Sequence, residues 1–238
     1  MNCRVIAPLM LTAAGLFFCN AAQAITINPS EATSKDTFGY QFLPTTNLNS
    51  PPFGSLLPAG LTTTGHDTKS ILEFDLTGVG VTSAQVASAT LNLFVIDTAT
   101  TGFGVSPSPG SPITVNLSAL TSSWDETTVA WSTIPASGAE YDSLVIDGIN
   151  QTVSFDVTQL VKDWLDNTVT NNGLVLEGDA PVGSSPNWVY AVFSSSAGNN
   201  VPALVITPVP EPSTVILALC ALPGLAWVAM RRKNRRVK

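Results

Sequence analysis

Residues Ile113-Thr114-Val115-Asn116-Leu117 switch between apolar and polar at every step. A strand turns successive side chains to opposite faces. This pattern therefore sends Ile113, Val115 and Leu117 to a buried face and Thr114 and Asn116 to a wet one. The same period recurs along the chain. Ser70-Ile71-Leu72-Glu73-Phe74-Asp75-Leu76 alternates from Leu72 onward, and Val153-Ser154-Phe155-Asp156-Val157 throughout. Ala89-Thr90-Leu91-Asn92-Leu93-Phe94-Val95-Ile96 alternates and then becomes wholly apolar. Residues 173–177, 188–193 and 203–207 read as further strands. Such segments, split by Gly, Pro, Ser and Asn, predict an all-β antiparallel sandwich. Residues 44–67 and 98–112 are rich in Thr, Gly, Ser and Pro and read as loops.

One segment has another period. In Thr158-Gln159-Leu160-Val161-Lys162-Asp163-Trp164-Leu165-Asp166-Asn167, the apolar residues Leu160, Val161, Trp164 and Leu165 share one face of a short helix. Asp156 or Thr158 is expected to cap it. Trp164 is expected to wedge it across one end of the sandwich.

Charge separates the body from the ends. Between residues 25 and 209 stand three basic residues, Lys35, Lys69 and Lys162, against sixteen Asp and Glu, a formal charge of −13. The whole-chain value of −7 hides this, because the other basic residues sit at the two ends. Such a domain is not expected to bind nucleic acid, and it repels polyanions at low salt unless a cation bridges them. Cys3, Cys19 and Cys220 all lie outside 25–209, so the core carries no disulfide. With His66 the single histidine, zinc sites built from Cys or several His are excluded. His66 lies in Thr62-Thr63-Thr64-Gly65-His66-Asp67, a polar stretch that reads as a surface loop. No phosphate-binding glycine loop appears.

The ends read as addresses. Residues 1–24 combine a short basic start, an apolar run and Ala22-Gln23-Ala24, which is a small-x-small cleavage site, so a signal peptide is expected with Ile25 as the mature start. Residues 209–238 hold Pro210-Glu211-Pro212, a sixteen-residue apolar run over 215–230 and a tip beginning Arg231-Arg232-Lys233. The run is marginal for a C-terminal transmembrane helix, which needs about 20 residues, but local thinning and snorkelling arginines make up the difference, so a single span is expected. Positive charge stays cytoplasmic, which leaves the preceding domain outside. Stop, span and basic tip together resemble the PEP-CTERM sorting tail of bacterial exported proteins. That resemblance implies an exosortase-type membrane protease as partner, membrane contact during sorting, and a final place on the cell surface or in an exopolysaccharide matrix. Pro210, Glu211 and Pro212 are the sorting motif it implies.

The body carries a second resemblance. Phe155-Asp156-Val157-Thr158, Leu160-Val161, Trp164-Leu165 and Asn172-Gly173-Leu174-Val175-Leu176 resemble the second half of DNRLRE domains. So do Trp124-Asp125-Glu126-Thr127-Thr128-Val129-Ala130-Trp131 ahead of them and Phe193-Ser194-Ser195 with Pro202-Ala203-Leu204 after them. Asp36-Thr37-Phe38, Lys69 to Leu76 and Ala89-Thr90-Leu91 match the family's opening. The namesake hexapeptide is absent, since Glu177-Gly178-Asp179-Ala180 follows Leu176. The resemblance implies that residues 25–208 form a jelly-roll β-sandwich similar to carbohydrate-binding modules.

Binding to an extracellular polysaccharide is then expected to rest on an aromatic ring, whose face suits the C–H face of a pyranose. Trp188, after Ser184-Ser185-Pro186-Asn187, is the leading platform. Trp124 and Trp131, which bracket an acidic turn, are either a stacking pair or packed residues, with packing favoured for both, and Tyr40 and Tyr190 are companions of either kind. Asp125 and Glu126 are adjacent, which in a strand would turn them to opposite faces and spoil an acid–base pair. No catalytic residues are assigned. No cofactor is required by the sequence; calcium is the candidate its abundant oxygen ligands suggest, with Asp36, Asp75 and Asp156 as candidate ligands. The competing readings are a structural matrix protein without a glycan ligand and a polysaccharide-cleaving enzyme.

Overall fold

A computed structural model describes residues 23–29, 35–60, 66–101, 103–179 and 189–210. Among them, strands pair antiparallel throughout into two sheets. The first sheet runs β1 (Ile25–Ile27), β11 (Ala203–Pro208), β5 (Val86–Ile96), β10 (Ala191–Ser194) and β3 (Leu56–Ala59), with β8 (Gln151–Asp156) also paired to β5. The second runs β2 (Lys35–Tyr40), β4 (Thr68–Glu73), β9 (Leu174–Asp179), β6 (Ile113–Leu120) and β7 (Ser137–Ile146). The expected antiparallel two-sheet sandwich is present.

Alternation decides what faces inward. Ile113, Val115 and Leu117 of β6 meet Ala89, Leu91, Leu93 and Val95 of β5 in the main core, joined by Leu72, Leu174 and Leu176. Burying each Ile, Val or Leu among them is worth roughly 1.5–3 kcal/mol. Not all apolar residues face this core. Ile71 and Val175 point the other way and are buried with Leu120, Trp124 and Val129 beneath the loop that follows β6. β4 and β9 are therefore covered on both faces at that level, which explains the unbroken Leu174-Val175-Leu176 run. A third cluster, of Phe38, Leu48, Leu56, Phe103, Tyr190 and Val192, is separate from the main core.

The one α-helix among the described residues, α1, spans Thr158–Leu165 and buries Leu160, Val161 and Trp164. Its capping differs from expectation. Val157 is the N-cap, and the Asp156 carboxylate, one residue earlier, accepts from the Thr158 N–H at 2.9 Å. The Thr158 hydroxyl is used elsewhere: it accepts from the Ala89 N–H of β5 at 2.9 Å and ties helix to sheet.

Several elements depart from the sequence reading. β3 lies inside the stretch read as a loop. Pro58 interrupts it, but β3 is at a sheet edge, where a missing donor is tolerated. β7 has no alternating apolar residues over most of its length because it too is an edge strand, largely exposed. The strand expected over 188–193 is β10, Ala191–Ser194. Among the described residues no helix is long and apolar enough to cross a membrane. Residues 1–22 of the expected signal segment 1–24 and the apolar run at 215–230 lie outside the described residues.

Candidate functional site

The outer face of the second sheet carries a polar row in register. Gly39 pairs with Lys69, Lys69 with Glu177, Glu177 with Asn116, and Asn116 with Ser143. The strand neighbours Val115, Leu117 and Leu176 point into the main core. The row itself therefore faces outward. From β4 to β7 it crosses about 14 Å at ordinary strand spacing.

Its members hold one another in place. Lys69 Nζ lies 2.5 Å from Glu177 Oε1, and the Ser137 hydroxyl donates to Glu177 Oε2 at 2.7 Å. The Ser143 hydroxyl donates to Asn116 Oδ1 at 2.8 Å. Formal charges within the row cancel.

Trp131 marks one end of the row. It is not a core strand residue: it sits half-buried in a single 3-10 turn, Trp131–Thr133, with Lys69 Nζ 5.4 Å from its ring centroid. Gly39 makes this placement possible. A Cβ there would lie 2.8 Å from the Trp131 Cα and closer still to the Ile134 side chain. Sequence reasoning missed this arrangement because the polar half of an alternating strand looks like ordinary wet surface. The signal that pointed to it was Lys69, one of three lysines in the body.

The expected site residues fall at different places. Trp124 is 8% exposed; its Nε1–H donates to the Asn172 carbonyl at 3.0 Å, and Lys35 Nζ lies 5.3 Å from its ring centroid. Of its two readings, packing is the one it adopts. Tyr190 is 2% exposed and its hydroxyl donates to the His66 carbonyl at 2.6 Å; burial pushes that hydroxyl's pKa upward. Trp188 lies outside the described residues, as do Glu211 and Pro212 of the sorting motif.

The three candidate metal ligands do not converge. Asp36, in β2, is 2% exposed and accepts from the Ser196 N–H at 2.6 Å and from the Ser196 hydroxyl. Burial pushes its carboxyl upward, partly offset by those bonds. Asp75 accepts from the Thr77 N–H at 2.7 Å and Asp156 from the Thr158 N–H; hydrogen bonding to Thr77 and to Thr158, side chain first and then backbone, holds both carboxyls below the usual range. Among the described residues no three His, Cys, Asp or Glu are grouped to hold a metal.

Asp36 has a different acidic neighbour. Its N–H donates to Glu126 Oε1 at 3.1 Å, and burial pushes the Glu126 carboxyl upward too. Glu126 lines a cavity of about 390 Å³ of mixed character, with Asn49, Ser55 and Ser196 beside Pro51 and Pro52. Asp125 turns away to accept from the Thr127 N–H at 2.8 Å. The adjacent pair is thus split between two tasks and does not face across a cleft.

A protein-family model, carbohydrate-binding module family 96, matches residues 54–208, more than half of the chain. No curated protein matches it.

Proposed function

The chain belongs to carbohydrate-binding module family 96, and from that premise we propose that it is a non-catalytic module that lays a neutral polysaccharide across the outer face of its second sheet. The observation that carries the reading is the in-register row Lys69–Glu177–Asn116–Ser143 with Trp131 at its end. A sugar chain presents hydroxyls along its length and C–H patches on its ring faces. The row offers an amide, a carboxylate, an ammonium and hydroxyls at fixed spacing, and the indole offers an apolar surface. All five residues fall within the family match.

Export completes the proposal. The signal-like start and the resemblance of the last thirty residues to a PEP-CTERM tail support delivery to the cell surface or matrix. An exosortase-type protease would be the processing partner. The DNRLRE resemblance over the body supports the same kind of domain.

The test is calorimetric titration of neutral polysaccharides against wild type, Asn116→Ala and Trp131→Ala. Loss of a stacked ring worth about 1 kcal/mol weakens binding roughly fivefold. Full affinity in both variants would move the ligand off this face. Absence of binding to every glycan tried would favour the structural matrix reading.

A further inference from the structure

Where β2 and β4 meet the end of the sandwich, a second aromatic surface is exposed. Phe42 is 63% exposed. Its ring lies almost flat on the His66 imidazole, with centroids 5.0 Å apart and planes 17° from parallel. Tyr40 flanks both rings at 6.0 and 5.9 Å. Lone exposed apolar residues are ordinary. This one differs because the rings that support it are held by hydrogen bonds and by packing.

His66 is held at both its ring and its backbone. The Tyr40 hydroxyl lies 2.7 Å from His66 Nδ1, and the Tyr190 hydroxyl donates to the His66 carbonyl. Tyr40 and Tyr190 each pack edge-on against Phe103, at 5.9 Å in both cases. The chain beside Phe42 is pinned as well: the Gln41 N–H donates to the Asp67 carbonyl at 2.9 Å. A ring held in this way loses little freedom when a ligand stacks on it.

We infer that Phe42, supported by His66 and Tyr40, is a second glycan site that stacks on the C–H face of a neutral pyranose, so that one domain joins two polysaccharide chains. The inference rests on the carbohydrate-binding reading above. Phe42 and Tyr40 precede the residues matched by the family model. The two sites are rooted on different faces of the second sheet. Tyr40 and Gly39 are consecutive in β2 and take opposite faces; the platform is built on the first, the polar row begins at the second. Neutral sugar is the fitting ligand because the cations with ion-pair partners, Lys35 and Lys69, serve Glu73 and Glu177 instead. Two sites on one body convert a weak binder into a cross-linker of long chains, with a gain set by geometry and not by new contacts.

The experiment compares wild type, Phe42→Ala, Phe42→Trp and Trp131→Ala. Each is titrated with a neutral oligosaccharide for stoichiometry and mixed with the long polysaccharide for light scattering. Wild type is expected to bind two oligosaccharides per domain and to raise scattering. Phe42→Ala is expected to bind one and to lose the scattering, while Phe42→Trp keeps both. Circular dichroism checks that each variant is folded, which the exposure of Phe42 favours. Wild-type stoichiometry and scattering in Phe42→Ala would overturn the second site while leaving carbohydrate binding intact. A wild-type protein that binds no glycan would overturn both together.

Discussion

Asp36 in β2 and Ser196 after β10 are joined by two hydrogen bonds to one carboxylate, so a single buried acid links the two sheets. Burial holds the Asp36 carboxyl above its ordinary 3.8 and the nearby Glu126 above its ordinary 4.5. An acid whose folded pKa is raised binds its proton more tightly in the folded state. Its contribution is full below the unfolded pKa and is lost as pH climbs through the folded one. Asp75, Asp125 and Asp156 have the opposite sign: their contribution is present above 3.8 and is lost as pH falls through their lowered folded values. Asp36→Asn keeps a partner for Ser196 and removes the titration. Its melting temperature should gain on wild type as pH rises from about 4 to 7. A constant difference across that range would show that Asp36 is not the titrating group. Asp36→Ala should cost about 1–3 kcal/mol by orphaning the Ser196 N–H.

Trp164 is 5% exposed and packs into the main core from α1. Trp164→Ala should destabilise the domain by roughly 3–5 kcal/mol, read as a shift in denaturant midpoint. The Trp164 Nε1–H is buried without a partner. Trp164→Phe should therefore cost much less than the loss of ring area alone suggests, because it also removes an unsatisfied donor. Equal losses in the two variants would contradict that reading.

Trp124 serves as the control for ligand binding. Its Nε1–H bonds Asn172 and its ring lies in the cluster with Ile71 and Val175. Trp124→Phe should lower stability by about 0.5–1.5 kcal/mol through the lost hydrogen bond and leave the glycan affinity unchanged. A binding defect without a stability defect would return Trp124 to the site.

What the sequence disclosed follows from where energy leaves a periodic trace. Ile113 to Leu117 and Leu160 to Trp164 bury one face each, and that burial writes a period into the chain. β7 and β3 leave no such trace. The first is a polar edge strand; the second is short and broken by Pro58. The site was less legible for a related reason. Lys69, Glu177, Asn116 and Ser143 lie far apart in sequence, and only strand register aligns them. The same holds for Asp36 and Glu126, ninety residues apart, and for Phe42 and His66, which are joined by a turn pairing between Gln41 and Asp67.

The tail gives a prediction independent of the fold. If it is a sorting signal, intact mass of protein extracted from the cell surface should show loss of the residues beyond about Pro212, the position the PEP-CTERM resemblance implies. Recovery of the complete basic tip in mature surface protein would identify residues 215–238 as a permanent part of the molecule.

The last prediction concerns which polysaccharide binds. The body carries a formal charge of −13 and three lysines. Two of those lysines are already engaged, Lys35 with Glu73 at 3.0 Å and Lys69 with Glu177. An acidic glycan would have to break the Lys69 pair to gain one contact, against the repulsion of the remaining carboxylates. That repulsion is long-range at low ionic strength and is screened within about 10 Å at 0.1 M salt. Binding to an acidic glycan should therefore be weakest at low salt and improve as salt is added, whereas binding to a neutral glycan should be nearly insensitive to salt. Chelator should leave the neutral glycan's affinity unchanged, since the row needs no metal. Calcium could strengthen the acidic glycan alone, by bridging its carboxylates to those of the protein. The measurement is a titration of one neutral and one acidic polysaccharide at two salt concentrations, each with calcium and with chelator. Tight, salt-sensitive binding of the acidic glycan in chelator would falsify the neutral-ligand assignment and point to a basic surface outside the row.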